Sequence, residues 1–170
     1  MDGFIADRDG GISWLEPYQV EGEDHGYRAF LADVGAVVMG ARTYELELGW
    51  DRWPYDDRPT FVFTHRRHDV PSGADVRLVA GPVVDMLAEI DRATDRNVFL
   101  VGGADLVRQF LAVDALDELH LFVVPVLLGE GTPLFDDPPQ RQARLESAHL
   151  YATGIAGVRY VLEAERVRRA

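Results

Sequence analysis

The chain has 170 residues, no cysteine, and 17 basic against 29 acidic side chains, for a formal net charge of −12. That length suits one domain with a single core. The absent thiols exclude disulfides, cysteine catalysis and zinc ribbons, and the acidic balance argues against a nucleic-acid partner, which needs a basic face. The chain has no lysine, so all 17 basic side chains are arginine. Schiff-base chemistry, pyridoxal phosphate anchoring and the Walker A lysine are therefore excluded as well, and any anion must be held by arginine, backbone N–H or hydroxyls.

No apolar run approaches the roughly 20 residues of a membrane span, and the start does not resemble a signal peptide, so the expected compartment is the cytoplasm. After an irregular opening, His25 to Val34 reads as a short helix with Phe30, Leu31 and Val34 inward. Ala36 to Met39 reads as a buried strand and Arg42 to Leu48 as a short helix. Thr60 to Thr64 and Asp75 to Val79 are strands. Pro82 to Ala93 is a helix with proline early, where its missing N–H is harmless. Asn97 to Val101 is an apolar, β-branched run that stops at Gly102 and Gly103. Leu106, Val107, Phe110 and Leu111 then fall on one helical stripe. A long strand from Glu118 to Leu128 follows, and two more, Ala143 to Tyr151 and Val158 to Glu165, close the chain around "ATGIAG". Helix–strand alternation followed by antiparallel strands implies an α/β fold, with a mixed sheet flanked by helices, in a single domain over residues 1–170.

Ligands of open α/β sheets bind beyond the carboxyl ends of the strands, and three such ends share a chemistry. "AVVMGARTYE" offers Gly40 for close backbone approach, Arg42 as a fork for phosphate oxygens and Thr43 as a hydroxyl at a helix start. "FVFTHRRHD" runs from Thr64 into His65, Arg66, Arg67 and His68, the densest basic cluster in an acidic chain. Gly102 and Gly103 stand at a strand-to-helix corner, where free N–H groups and the positive end of the helix dipole point outward. Three corners fit for phosphate suggest a pyrophosphate plus a further phosphate, which points to NADPH before NADH. The five histidines show no helical metal-ligand motif, and two arginines adjoin His65-x-x-His68, so no metal site is expected.

"MDGFIA", "ISWL", "VVMGARTYE", "FVFTHR", "VFLVGGADLVRQFL" and "DELHLFVVPVLLGEGTPLF" occur in the order and spacing of the dihydrofolate reductase-like superfamily. From Asp2 to about Glu165 the chain most resembles its bacterial branch related to the reductase domain of the riboflavin-biosynthesis deaminase-reductase. The resemblance implies that Gly40, Arg42 and Thr43 grip the cofactor phosphates. It places Thr64, His65 and Arg66 around the adenosine end, with Arg66 toward the 2′-phosphate. Val101, Gly102, Gly103, Ala104, Asp105 and Leu106 match the pyrophosphate turn, whose paired glycines are joined by a cis peptide in the dihydrofolate reductases. Pro125, Leu128 and Gly129, in "PVLLGEG", match the substrate side.

The implied activity is NADPH-dependent reduction of a pyrimidine- or pterin-like heterocycle, resembling that of 5-amino-6-(5-phosphoribosylamino)uracil reductase. A non-catalytic NADP(H)-binding regulatory domain and a dihydrofolate reductase are the alternatives. Trp14, in the loop matching the nicotinamide cover, either shields the reacting carbon or packs on the core. Asp2 is either the proton donor or a turn residue, while Glu16, Glu21, Glu23 and Asp24 read as loop or cap acids. Related reductase domains pair, and the apolar C-terminal strands (Leu150, Tyr151, Val158, Tyr160, Leu162) predict a homodimer through them. Only Met1 precedes Asp2, where the superfamily has a central strand. The expectation is a start downstream of the natural one, with most of that strand missing or with Met1 to Ala6 as a shortened substitute.

Overall fold

The computed structural model describes residues 1–56 and 58–163. In chain order the elements are β1 (Phe4–Ala6), a 3-10 helix (Ser13–Tyr18), α1 (Tyr27–Ala32), β2 (Val34–Gly40), α2 (Ala41–Leu48), β3 (Thr60–Phe63), β4 (Val76–Val79), α3 (Val83–Ala93), β5 (Asn97–Gly102), α4 (Ala104–Ala112), β6 (Glu118–Val123), β7 (Thr132–Pro133), β8 (Ala143–Leu150) and β9 (Ala156–Leu162). The chain divides into two compact units, one spanning Tyr27–Gln109 and the other joining Met1–Gly26 to the chain from Phe110 onward.

The Tyr27–Gln109 unit is built on a parallel sheet in the order β4-β3-β2-β5. A parallel strand covered on both faces needs a continuous apolar run rather than alternation. β2 has one: Val34, Ala36, Val37, Val38 and Met39 are all buried. Around it Val37, Met39, Tyr44, Tyr55 and Val62 form the core, flanked by Phe30, Leu31, Trp53, Val76, Phe99 and Val101. The α4 stripe read from the spacing is also present, with Leu106, Val107, Phe110 and Leu111 buried.

One charged side chain lies within this core. Glu47 is 4% exposed, and its Oε1 accepts the Tyr55 hydroxyl at 2.7 Å. Its Oε2 has no partner among the described residues. Burial pushes the Glu47 carboxyl up to about 7, against the opposing pull of the Tyr55 hydrogen bond.

The other unit holds an antiparallel sheet in the order β6-β9-β8 and the short pair β1-β7. β1 is three residues long and its partner is β7, with Phe4 opposite Pro133. β5, β6 and β8 each form an outer strand of their sheets.

Most boundaries shift by one or two residues from the sequence reading, and the larger shifts have local causes. The first helix starts at Tyr27 rather than His25, because His25 (φ 52°) and Gly26 (φ 80°) hold left-handed backbone that a right-handed helix cannot include. It ends at Ala32, so Val34 opens β2 instead of facing inward from the helix. The strand expected to reach Leu128 stops at Val123. Pro125 lacks an N–H for the ladder, and the Val126 N–H closes a tight turn onto the Val124 carbonyl at 2.7 Å. The last ladder pairs Leu162 with Ala143, while Ala164 and Glu165 lie outside the described residues.

Candidate functional site

From β2 the chain builds outward to β3 and β4, then returns to place β5 on the opposite flank of β2. The gap between the carboxyl ends of β2 and β5 is therefore a topological switch point, where open α/β sheets bind ligands. Parallel register sets Gly40 beside Phe63 and Met39 beside Gly102. The three corners singled out in the sequence thus share one sheet edge.

At the switch point, backbone faces backbone. A Cβ on Gly40 would lie 3.9 Å from the Gly102 carbonyl oxygen and 4.0 Å from the Gly103 nitrogen, and one on Gly103 would lie 3.9 Å from the Thr43 hydroxyl. One on Gly102 would meet nothing within 4 Å, so side-chain-free space opens there. The Gly102–Gly103 peptide is cis.

Two helices start at this cradle. α2 has Gly40 at its N-cap with no side-chain cap, leaving first-turn N–H groups for a ligand. At α4, the Leu106 and Val107 N–H groups return to the Gly103 carbonyl at 3.0 and 3.1 Å. Asp105 does not compete for the cradle. Its carboxylate accepts from Arg108 at 2.5 Å and Gln109 at 2.8 Å, and the Arg108 contact holds it below the usual carboxylate range. Arg42 is exposed. A diphosphate fits this set of glycine backbone, free N–H groups, the Thr43 hydroxyl and arginine.

The loop after β3 is ordered by Thr64. Its hydroxyl accepts the Arg66 N–H at 3.0 Å and lies 3.1 Å from His68 Nε2. The Arg66 guanidinium meets Glu45 Oε1 at 2.9 Å, and His68 Nδ1 lies 3.8 Å from the same oxygen. His65 is exposed. Glu45 and the buried Glu47 are absent from the sequence-derived candidates. Their signal was helical spacing, with Glu45 three residues after Arg42 and Glu47 four after Thr43, yet nothing local distinguishes such acids from a solvated face.

The residues matched to the substrate side lie in the other unit. The Asp2 carboxylate accepts the Gly129 N–H at 2.8 Å. That bond, aided by the Leu128 N–H, holds it below the usual range despite some desolvation. Asp2 thus braces the Leu128–Gly129 loop as an anion. Leu134 N–H donates to the Gly3 carbonyl at 2.8 Å, and the Tyr18 hydroxyl reaches the Pro125 carbonyl at 3.4 Å. Trp14 sits half-buried in the 3-10 helix, its indole N–H without a partner among the described residues. No helix among the described residues is long and apolar enough to cross a membrane.

A parallel sheet with a glycine cradle at its switch point, followed by antiparallel strands, is the architecture of the dihydrofolate reductase-like reductases. The sequence pattern of the RibD C-terminal domain family matches residues 1–156, and the chain belongs to that family. It is 36% identical over 138 residues to the uncharacterised Bacillus subtilis protein YwjB, covering 81% of this chain and 78% of that one. It is 32% identical over 111 residues to the dihydrofolate reductase HdrB of Haloferax volcanii, covering 65% of this chain and 55% of HdrB. A Shewanella structure assigned by name to riboflavin biosynthesis superposes with a TM-score of 0.84 at 30% identity, covering 96% of this chain and 94% of that one. The bifunctional pyrimidine deaminase and uracil reductase of Thermotoga maritima shares the fold at a TM-score of 0.67 and 18% identity; 95% of this chain spans 53% of that one.

Proposed function

We propose that this chain is an NADPH-dependent reductase of a small pyrimidine- or pterin-like heterocycle. The observation that carries the reading is the backbone cradle of Gly40, Gly102 and Gly103 at the sheet's switch point. Family membership supplies the reaction class.

Bound at the cradle, the cofactor would supply a hydride for an electron-poor C=N or C=O group. The chain's own part is positioning. Val101 and Leu106 bracket the turn, Gly102, Gly103 and Ala104 present backbone to the diphosphate, and Thr43 and Arg42 add a hydroxyl and a charge. Thr64 shapes the loop that carries His65 and Arg66 to the adenosine end. In the other unit Asp2 braces the Leu128–Gly129 loop; the family resemblance gives that loop and Pro125 the substrate-binding role and Trp14 the role of nicotinamide cover. Because Asp2 is kept ionised by the Gly129 N–H, it serves as a brace rather than a proton donor. That same observation favours a second reading, a domain that binds the dinucleotide without turning it over.

Titration with NADPH and NADP⁺, followed by tryptophan fluorescence, tests both readings, and failure of either to bind at millimolar concentration overturns them. Oxidation of NADPH with one member of a pyrimidine and pterin panel that includes dihydrofolate selects the enzyme. Binding without oxidation selects the second reading. Arg66→Ala is expected to weaken NADPH by about 1.5–3 kcal/mol while leaving NADH nearly unchanged. Equal losses for both would assign the arginine to the fold or to the shared phosphates.

The reading includes a homodimer through the C-terminal strands. β8 is an outer strand with all eight residues exposed, among them Leu145 at 52% and Leu150 at 80%, and such an edge calls for cover. Light scattering at micromolar concentration should report twice the chain mass, and a monomer would remove this part of the proposal.

A further inference from the structure

We infer that Glu45 is a specificity residue for the adenosine ribose, and that its pairing with Arg66 lets the site accept NADH as well as NADPH. The inference rests on the dinucleotide reading above and adds to it a determinant of cofactor choice. In doubly wound dinucleotide sites an acidic side chain takes the ribose 2′-hydroxyl of NADH, whereas a nearby arginine accommodates the 2′-phosphate of NADPH. Here both groups meet in one ion pair, with Arg66 Nη2 2.9 Å from Glu45 Oε1.

The pair stands where that ribose is expected. β3 ends at Phe63, in register with Gly40, the N-cap of α2, and Glu45 projects from the second turn of that helix. The Thr64 hydroxyl fixes the loop that presents Arg66 and His68 to the carboxylate. Both partners are open to a ligand, Glu45 being 41% and Arg66 66% exposed at the side chain.

The chemistry of the pair argues against a site built for one cofactor. A carboxylate only accepts hydrogen bonds, so it suits a hydroxyl and repels a phosphate. In a site for NADPH alone, Glu45 would compete with the 2′-phosphate for Arg66. In a site for NADH alone, Arg66 would have no partner in the ligand. With NADH the ion pair persists and the second carboxylate oxygen accepts the 2′-hydroxyl. With NADPH the phosphate takes over the guanidinium, and the exposed Glu45 turns to water. An exposed ion pair of this kind contributes little to stability, so its loss reads out in binding rather than folding.

The test titrates the native chain and Glu45→Gln with NADPH and NADH, and with 2′,5′-ADP and 5′-AMP as nicotinamide-free probes. The native chain should bind the two dinucleotides within about tenfold of each other. Glu45→Gln should weaken NADH and 5′-AMP by about tenfold, the loss of one charge-assisted hydrogen bond. It should also tighten NADPH and 2′,5′-ADP several-fold, with the thermal midpoint unchanged. Equal effects on both cofactors, or none, overturn the inference. A native chain that binds NADPH but rejects NADH by more than about a hundredfold also overturns it and leaves the reductase reading standing, whereas binding of neither removes that reading itself.

Discussion

Glu47→Gln is expected to leave the protein nearly as stable as the native chain at pH 5 and clearly more stable at pH 8. The Glu47 carboxyl is buried against Tyr55, and burial lifts it from 4.5 to about 7. The folded chain therefore holds a proton there that the unfolded chain has released throughout the interval from about 4.5 to 7. Stability falls wherever the native state binds more protons and pH rises. The native contribution is thus fully present below 4.5, declines through the interval and is gone above 7. A difference of that size corresponds to about 3 kcal/mol as an upper bound.

Glutamine cannot ionise, yet keeps an acceptor for the Tyr55 hydroxyl, so its profile should be flat over the same range. The orphaned Oε2 fits the same account, since a buried neutral carboxyl is far less costly than a buried carboxylate. Urea denaturation at pH 5, 6, 7 and 8 measures the effect, and parallel profiles for the two proteins would show that Glu47 does not titrate in that window.

Gly40→Val is expected to keep the fold and lose the dinucleotide. Gly40 has φ −86° and ψ 164°, an extended conformation that any residue adopts. The added Cβ meets its nearest neighbours, Gly102 and Gly103, at ordinary contact distance. The two γ-methyl groups beyond it must lie over the same cradle and take space assigned to the diphosphate. The thermal midpoint should stay within a few degrees of the native one, while the Kd for NADPH rises about tenfold or more. Undiminished binding would move the phosphate site away from the switch point. A collapse in stability would mean that Gly40 serves packing, and Gly40→Ala would then separate the two roles.

Sequence alone determined most of the helices and strands and the chemistry of three strand ends, but neither the 3-10 helix nor the short β7. The Val34–Met39 run, the α4 stripe and the paired glycines are local signals, set by side-chain period and by the conformational freedom of glycine. Motif order carried the fold class, which the family match and the neighbouring structures bear out. Boundaries failed where one residue overrode a period, as at His25 with its left-handed backbone and at Pro125 with no ladder donor.

Tertiary structure decided which strand ends become neighbours. Only the order β4-β3-β2-β5 brings Gly40, Phe63 and Gly102 to one edge, and that order is a property of the chain path rather than of any window of sequence. It also decided the states of three acids that look alike in sequence. Glu45 meets Arg66 from across a loop, Glu47 is sealed beneath Tyr55, and Asp2 is held by an N–H 127 positions away. Burial and long-range partners set what a carboxylate can do, and neither is encoded in its immediate neighbours.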